Sequence, residues 1–311
     1  MSDRPGTGAP GWASGLSDLP LPGRGDTATR WRQLTAWGRE CLPTARLREG
    51  HTDALAILAE LGAAPVPDAA YGVWASRAGG TGATLRPAAG GWRVDGIVRF
   101  CSGASVLDRA LLVADAPGGT RVVDLDLTVP GIRRDPGAWR AAAMRASDTA
   151  DVELRGVPVA DVLGEPGAYT DRPGFVWGGG GVAAVWLGGA AGLVDELRVL
   201  LRGTGDPHRL AQLAEVHTGL AAVEALLERT AAQIDADPRS AHRVPVATAR
   251  TAAERVCRTV VDVVPRAAGV AALAGGLADR VADLAIYIRQ HHGERDLAAL
   301  GADLLGTGDG R

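Results

Sequence analysis

Lysine is absent from this chain of 311 residues, and all 33 basic side chains are arginine. A lysine Schiff base and a lysine phosphate anchor are therefore excluded, and the uniform choice of arginine fits a genomic composition bias. Cysteine is scarce. Cys41, Cys101 and Cys257 are odd in number, widely spaced and form no Cys-x-x-Cys pair, which supports neither a disulfide framework nor a zinc site. Charge of one sign is also lacking: 36 acidic against 33 basic residues give a net charge of −3. That balance argues against a nucleic-acid partner held by counterion release. No run approaches the roughly 20 apolar residues of a membrane helix. Residues 182–194 come nearest and are short and Gly-rich. The first residues lack the basic-then-apolar plan of a signal peptide. A cytoplasmic location is expected, with no membrane and no nucleic-acid partner.

What is present is apolar bulk. The chain is 46% hydrophobic and 22% charged, enough for a sizeable core, and its length suits one large domain or two to three small ones. Aromatics are only 4%, dominated by eight Trp.

Residues 1–25 are rich in Gly, Pro, Ser and Asp and read as a flexible arm. Asp26-Thr27 caps a helix to about Cys41, with Trp31, Leu34 and Trp37 at helical spacing. A second helix follows the break at Leu42-Pro43-Thr44 and runs to Leu61, completing a short amino-terminal helical region over 26–68. His51 on it reads as a solvated or capping histidine. Residues 69–168 carry strand signals and form a middle β-domain. Residues 169–305 read as an up-and-down bundle of four helices, at about 175–201, 208–234, 246–264 and 277–305. Pro265 ends the third helix, residues 268–276 are loose, and 306–311 form a tail. The fold class is α+β: a β-barrel or sandwich followed by a four-helix bundle, with a short amino-terminal helical pair.

Residues 71–105 organise the rest. Val73 and Trp74 end in Ser76 and a loop of Gly79, Gly80, Thr81 and Gly82, poor enough in side chains to let backbone approach a ligand. A strand from Trp92 to Val94 turns at Asp95-Gly96, a hairpin dipeptide. The strand from Ile97 to Cys101 then delivers an aromatic and a hydroxyl, Phe100-Cys101-Ser102-Gly103. Taken alone, these residues also describe a plain β-barrel with a buried Phe. A second strand pair, 110–114 with 120–127, surrounds Pro117-Gly118-Gly119. After it come Val129-Pro130-Gly131-Ile132, Met144, Ser147-Asp148-Thr149 and Gly156-Val157-Pro158-Val159.

That order resembles the acyl-CoA dehydrogenase family, including its flavin-monooxygenase relatives, over residues 71 to about 305. The resemblance implies FAD as cofactor and a flavin site at Ser76, Thr81, Phe100, Cys101 and Ser102. Phe100 would lie against the isoalloxazine and Ser102 would hydrogen-bond it, in a cleft between the β-domain and the bundle. It also implies a homodimer or homotetramer, a small-molecule acyl thioester or related substrate, and an electron-transfer or flavin-reductase partner.

The family's base is a carboxylate that takes the α-proton opposite the flavin. An alignment anchored on Asp283 and Tyr287 puts His291 at one of its usual glutamate positions and Gly178 at the other. An imidazole titrating near neutrality is a candidate base at His291. The polar run 289–296 also reads as a solvated turn of helix, and a metal pair of His291 with His292 is disfavoured because adjacent helical residues point about 100° apart. Only about forty residues of helix precede the β-domain, where the family has a hundred or more. Gly275-Gly276 retain the glycines of the family's Gln-x-x-Gly-Gly segment without its Gln. Its Arg-x-x-Phe-Gly segment is replaced around 203–207, with Arg198 and Arg202 as compensating cations. The leading expectation is an FAD-dependent oxidoreductase of acyl-thioester CH–CH bonds. The alternatives are a flavin-dependent monooxygenase of the same fold, or an inactive paralogue acting as a structural or ligand-binding subunit.

Overall fold

Alternating side chains build the first of two units in the computed structural model, which describes Trp12 and residues 19–307. Most of the expected arm over 1–25, and the end of the tail from 308, lie outside the described residues. The sheet unit comprises residues 50–140 and 146–171 together with Trp12 and Leu19. Its strands are β1 (Tyr71–Trp74), β2 (Gly82–Ala88), β3 (Gly91–Cys101), β4 (Arg109–Ala116), β5 (Gly119–Asp126), β6 (Ile132–Asp135), β7 (Ala150–Val159) and β8 (Asp161–Leu163). They form one mixed sheet in the order β6-β7-β3-β2-β4-β5-β8, with β1 also on β4.

Both β1 and β2 run parallel to β4, β1 against residues 109–112 and β2 against 114–115. The chain leaves the ladder between them, so residues 75–81 are extruded as a loop. Period-two alternation splits the core in two. Leu112, Val123 and Leu125 join Trp74, Leu85, Val98 and Val152 on one face. Leu111 and Val122 meet Ala54, Ile57 and Leu58 of a helix on the other.

The expected hairpin at Asp95-Gly96 is not formed. β3 runs straight through it, and the β2–β3 turn falls instead between Ala88 and Gly91. Gly96 marks a bulge against β7. It sits at φ 132°, where a Cβ would overlap the carbonyl oxygen of Gly82, so the dipeptide signal reflected a bulge that only glycine fits.

The second unit is helical, comprising residues 20–49, 141–145 and 172–307. It holds α1 (Thr27–Glu40) and the first turns of α2 (Leu42–Glu60), which continues into the sheet unit; the short α3 (Ala168–Asp171) belongs to the sheet unit. Then come α4 (Pro173–Leu200), α5 (Pro207–Ala236), α6 (Arg243–Ala268), α7 (Val270–Ala272), α8 (Ala278–Tyr287) and α9 (Glu294–Leu304). α4 packs against α1, α5, α6 and α8. Its glycines let α1 come close: a Cβ on Gly188 would overlap the carbonyl of Thr35, and one on Gly38 the carbonyl of Val185.

Several expectations are corrected here. Asp26 stands at the cap of α1 without a side-chain cap bond. Asp235 of α5 does that work, accepting from Thr27 N at 2.8 Å and Thr27 Oγ1 at 2.6 Å. α6 runs past Pro265 to Ala268. The expected fourth helix is broken: a π-helical turn precedes α8, and a 3-10 turn and His291 in extended backbone separate α8 from α9. Contrary to the reading of hydrophobic runs, α4 and α5 are both long and apolar enough to cross a membrane by length and composition, with 72% of the apolar window of α4 buried inside the fold. The small residues that dilute α4 in sequence are the ones that let it be buried.

Candidate active site

The end of β3 is held in a strained conformation. Phe100 has φ 61°, a region that costs a non-glycine residue roughly 1–2 kcal/mol. Asp151 of β7 holds it there, accepting from Phe100 N at 3.3 Å and from Arg99 Nε at 3.1 Å. The residue is 44% exposed and is not the buried Phe of a plain barrel. Its ring meets Trp139 edge-to-face at 6.1 Å, with the Arg99 guanidinium 4.8 Å from its centre. A strained residue that exposes a large aromatic side chain is an arrangement found at ligand sites.

Ser102 is fixed from several directions. Its carbonyl accepts from Trp74 Nε1 at 3.1 Å, and the next amide, Gly103 N, donates to Ser147 O at 2.9 Å. Its hydroxyl accepts from Thr149 Oγ1 at 3.3 Å. The side chain is half-buried, two residues beyond Phe100, and its backbone is fixed by Trp74 and Ser147. Cys101 between them is 1% exposed within the apolar core, its thiol donating to Val98 O; any ligand contact it makes is through backbone.

Ser76 and Thr81 lie on the loop extruded between β1 and β2. Both hydroxyls serve its 3-10 turn: Ser76 Oγ accepts from Ala78 N at 3.3 Å, and Thr81 Oγ1 donates to Ala78 O at 2.8 Å. The Trp74–Ser102 bond and the approach of Gly79 to Arg99 place this loop beside the Phe100 corner. The structure thus gathers Ser76, Thr81, Phe100 and Ser102 at one end of the sheet unit.

His291 belongs to the helical unit. It is 6% exposed, and so is not part of a solvated turn. Gly293 N donates to Nδ1 at 3.2 Å, which requires a lone pair there and leaves the proton on Nε2, facing Thr251 Oγ1 at 3.2 Å. Burial lowers its pKa, with Asp296 opposing that shift, so the ring is neutral near pH 7. His292 is exposed beside Asp296. Next to Thr251, Arg250 lies 4.5 Å over the Trp186 ring and donates to the carbonyls of Gly179 and Gln290. Glu49, buried at the start of α2, pairs with Arg46 and accepts from Tyr287 Oη at 3.1 Å. Gly178, the other glutamate position, offers no side chain. Arg198 is exposed and pairs with Asp195 at 3.8 Å.

His51 is likewise not solvated. It is 6% exposed, and its Nδ1 accepts from Tyr71 N at 3.1 Å, so it closes the start of β1 from within α2. Sequence reasoning passed over Asp151, Trp139 and Thr149 as site residues. Thr149 stood in the recognised Ser-Asp-Thr turn, which was the available signal. The other two become neighbours of Phe100 only through the β3–β7 pairing. Among the described residues, no group of three or more His, Cys, Asp or Glu side chains is arranged to hold a metal.

No protein-family model matches the chain, and no curated protein matches it in sequence. Solved structures do. The dibenzothiophene monooxygenase TdsC from Paenibacillus sp. A11-2, in complex with FMN and indole, superposes with a TM-score of 0.80 at 21% identity, over 90% of this chain and 84% of that one. KijD3, in complex with FMN and a dTDP-linked amino keto sugar, gives 0.77 at 21% identity over 91% and 80%. The methanesulfinate monooxygenase MsuC from Pseudomonas fluorescens gives 0.78 at 20% identity over 95% and 88%. This α+β chain has the acyl-CoA dehydrogenase fold of these flavoenzymes.

Proposed function

We propose that the protein is a flavin-dependent monooxygenase that uses reduced FMN delivered by a separate reductase. The carrying observation is the strained, exposed Phe100 beside Trp139 and the hydroxyl of Ser102. This set fits a flavin: an aromatic face for a planar ring, and a hydroxyl for its polar edge. FMN in the solved structures of TdsC and KijD3 supports the cofactor. The lost Gln and Arg-x-x-Phe-Gly segments, which the resembled family uses for the adenine half, favour FMN over the FAD first expected. The named monooxygenases among the structural neighbours favour oxygen chemistry over acyl-thioester dehydrogenation. Neither of the family's usual glutamate positions carries a carboxylate, which points the same way.

Reduced flavin, when bound, supplies two electrons to dioxygen. This chain's residues do the rest. Phe100 and Trp139 would supply the aromatic contacts to the ring. Ser102 holds the polar edge. His291, the candidate base of the sequence, has its Nδ1 lone pair taken by Gly293 N and its proton on Nε2, so in this state it serves as a hydrogen-bond donor to Thr251 and not as a proton acceptor. The substrate is a small organic molecule, and the assembly is a soluble homodimer or homotetramer in the cytoplasm.

The test is a rapid-mixing experiment in which the purified protein with reduced FMN meets dioxygen. Flavin reoxidation should follow kinetics distinct from those of free reduced FMN. Identical traces with and without protein would contradict the proposal.

A further inference from the structure

A chain of hydroxyls stands behind Ser102. Ser147 Oγ lies 2.9 Å from Thr149 Oγ1, and Thr149 Oγ1 donates to Ser102 Oγ at 3.3 Å. Ser147 is 1% and Thr149 8% exposed, so this pair lies in the protein interior. All three groups belong to the sheet unit.

Proton counting fixes the direction of the chain. A hydroxyl owns one hydrogen and two acceptor lone pairs. Thr149 gives its hydrogen to Ser102, so in its 2.9 Å contact with Ser147 it has only acceptor lone pairs to offer. Ser102 then receives a bond from behind and keeps its own hydrogen for the surface. Its backbone has no freedom to turn away, because Trp74 holds the carbonyl and Ser147 O holds the following amide. Hydrogen bonds in series polarise one another in a low-dielectric interior. At 3.3 Å the last link is longer than the ~2.7–2.8 Å of a tight O–H···O bond, so it directs the Ser102 hydroxyl rather than clamping it.

We infer that Ser147 and Thr149 are positioning residues that set Ser102 as a hydrogen-bond donor, so that the ligand atom it meets is an acceptor, a carbonyl or ring nitrogen of the flavin. The inference rests on the flavin reading given above. It assigns Thr149 to the specificity of the site, although Thr149 itself does not reach the ligand surface.

The experiment is a double-mutant cycle in the full chain, read as FMN affinity and as the absorption spectrum of bound FMN. Thr149→Val keeps the shape and removes the hydroxyl; it should weaken FMN about tenfold, the scale of one net hydrogen bond, and shift the bound spectrum. Thr149→Ser should restore both. In a Ser102→Ala background, Thr149→Val should add nothing, because the group it directs is gone. Thermal unfolding of the apo-proteins checks that each variant folds, and the Thr149→Ser rescue guards against a purely packing effect. Wild-type affinity and spectrum in Thr149→Val, or independent and additive effects of Ser102→Ala and Thr149→Val, would overturn the inference alone. A wild type that binds no flavin would instead remove the reading beneath it.

Discussion

The backbone amide of Phe100 and the side chain of Arg99 share one carboxylate, that of Asp151 on the neighbouring strand, at 3.3 and 3.1 Å. The carboxylate holds Phe100 in the left-handed region at φ 61°, and the strain persists because a neighbouring strand enforces it. Phe100→Gly should therefore separate binding from stability. Relief of strain offsets the lost contact with Trp139, and the unfolding free energy should move by less than about 1 kcal/mol. Flavin affinity should fall at least tenfold. Chemical denaturation and a flavin titration measure the two sides.

Gly188 of α4 lies where a Cβ would overlap the carbonyl of Thr35 in α1. Backbone cannot give way as a flexible side chain does. Gly188→Ala should cost about 1–3 kcal/mol, the usual penalty of overpacking, and lower the melting temperature by several degrees. Gly205→Ala, where a Cβ meets open space, is the control and should change little.

Of the three thiols, Cys41 is exposed, whereas Cys101 and Cys257 are buried. Burial pushes the Cys257 pKa well above its ordinary value, which removes the reactive thiolate as well as access. Native protein should release one equivalent of chromophore from a disulfide reagent, and denatured protein three.

His51 and His291 should both make stability depend on pH, in the same direction. Burial lowers the pKa of each in the folded state, and each Nδ1 accepts a backbone amide that a proton there would expel. The unfolded chain titrates near 6.5, so below that pH it binds more protons than the folded chain. Their contribution is present above about pH 6.5 and is lost as pH falls toward the lowered folded values. The urea midpoint should drop between about pH 7 and 5, and the drop should shrink in His51→Gln.

The helices were the most legible part of the sequence, because a buried stripe every three or four residues survives any arrangement of neighbours. Trp31, Leu34 and Trp37 marked α1, and the small residues of the run after Phe175 marked α4. The β-strands were legible in outline. The β4–β5 turn at Pro117-Gly118 was legible too, but the β2–β3 connection was not: Asp95-Gly96 carries the same dipeptide whether it turns a hairpin or bulges a continuous strand, and only the β3–β7 register decides. Phe100 and Ser102 were legible as an aromatic and a hydroxyl at a strand end. What holds them was not, because Asp151 and Thr149 are about fifty residues away and are brought near by sheet pairing alone. His51 was misjudged as solvated, and the solvated-turn alternative for His291 also fails, since their partners Tyr71, Thr251 and Gly293 act through folded geometry.

The central claim is that the Phe100–Ser102 corner holds a flavin, and the most direct measurement is a titration of the purified chain with FMN and with FAD, oxidised and reduced, followed by absorbance and fluorescence. FMN should bind saturably with a dissociation constant at or below tens of micromolar, about 6 kcal/mol or more of binding free energy. Phe100→Ala and Ser102→Ala should each weaken it while the protein stays folded. Absence of binding by either flavin in either redox state, or wild-type affinity in both variants, would contradict the claim.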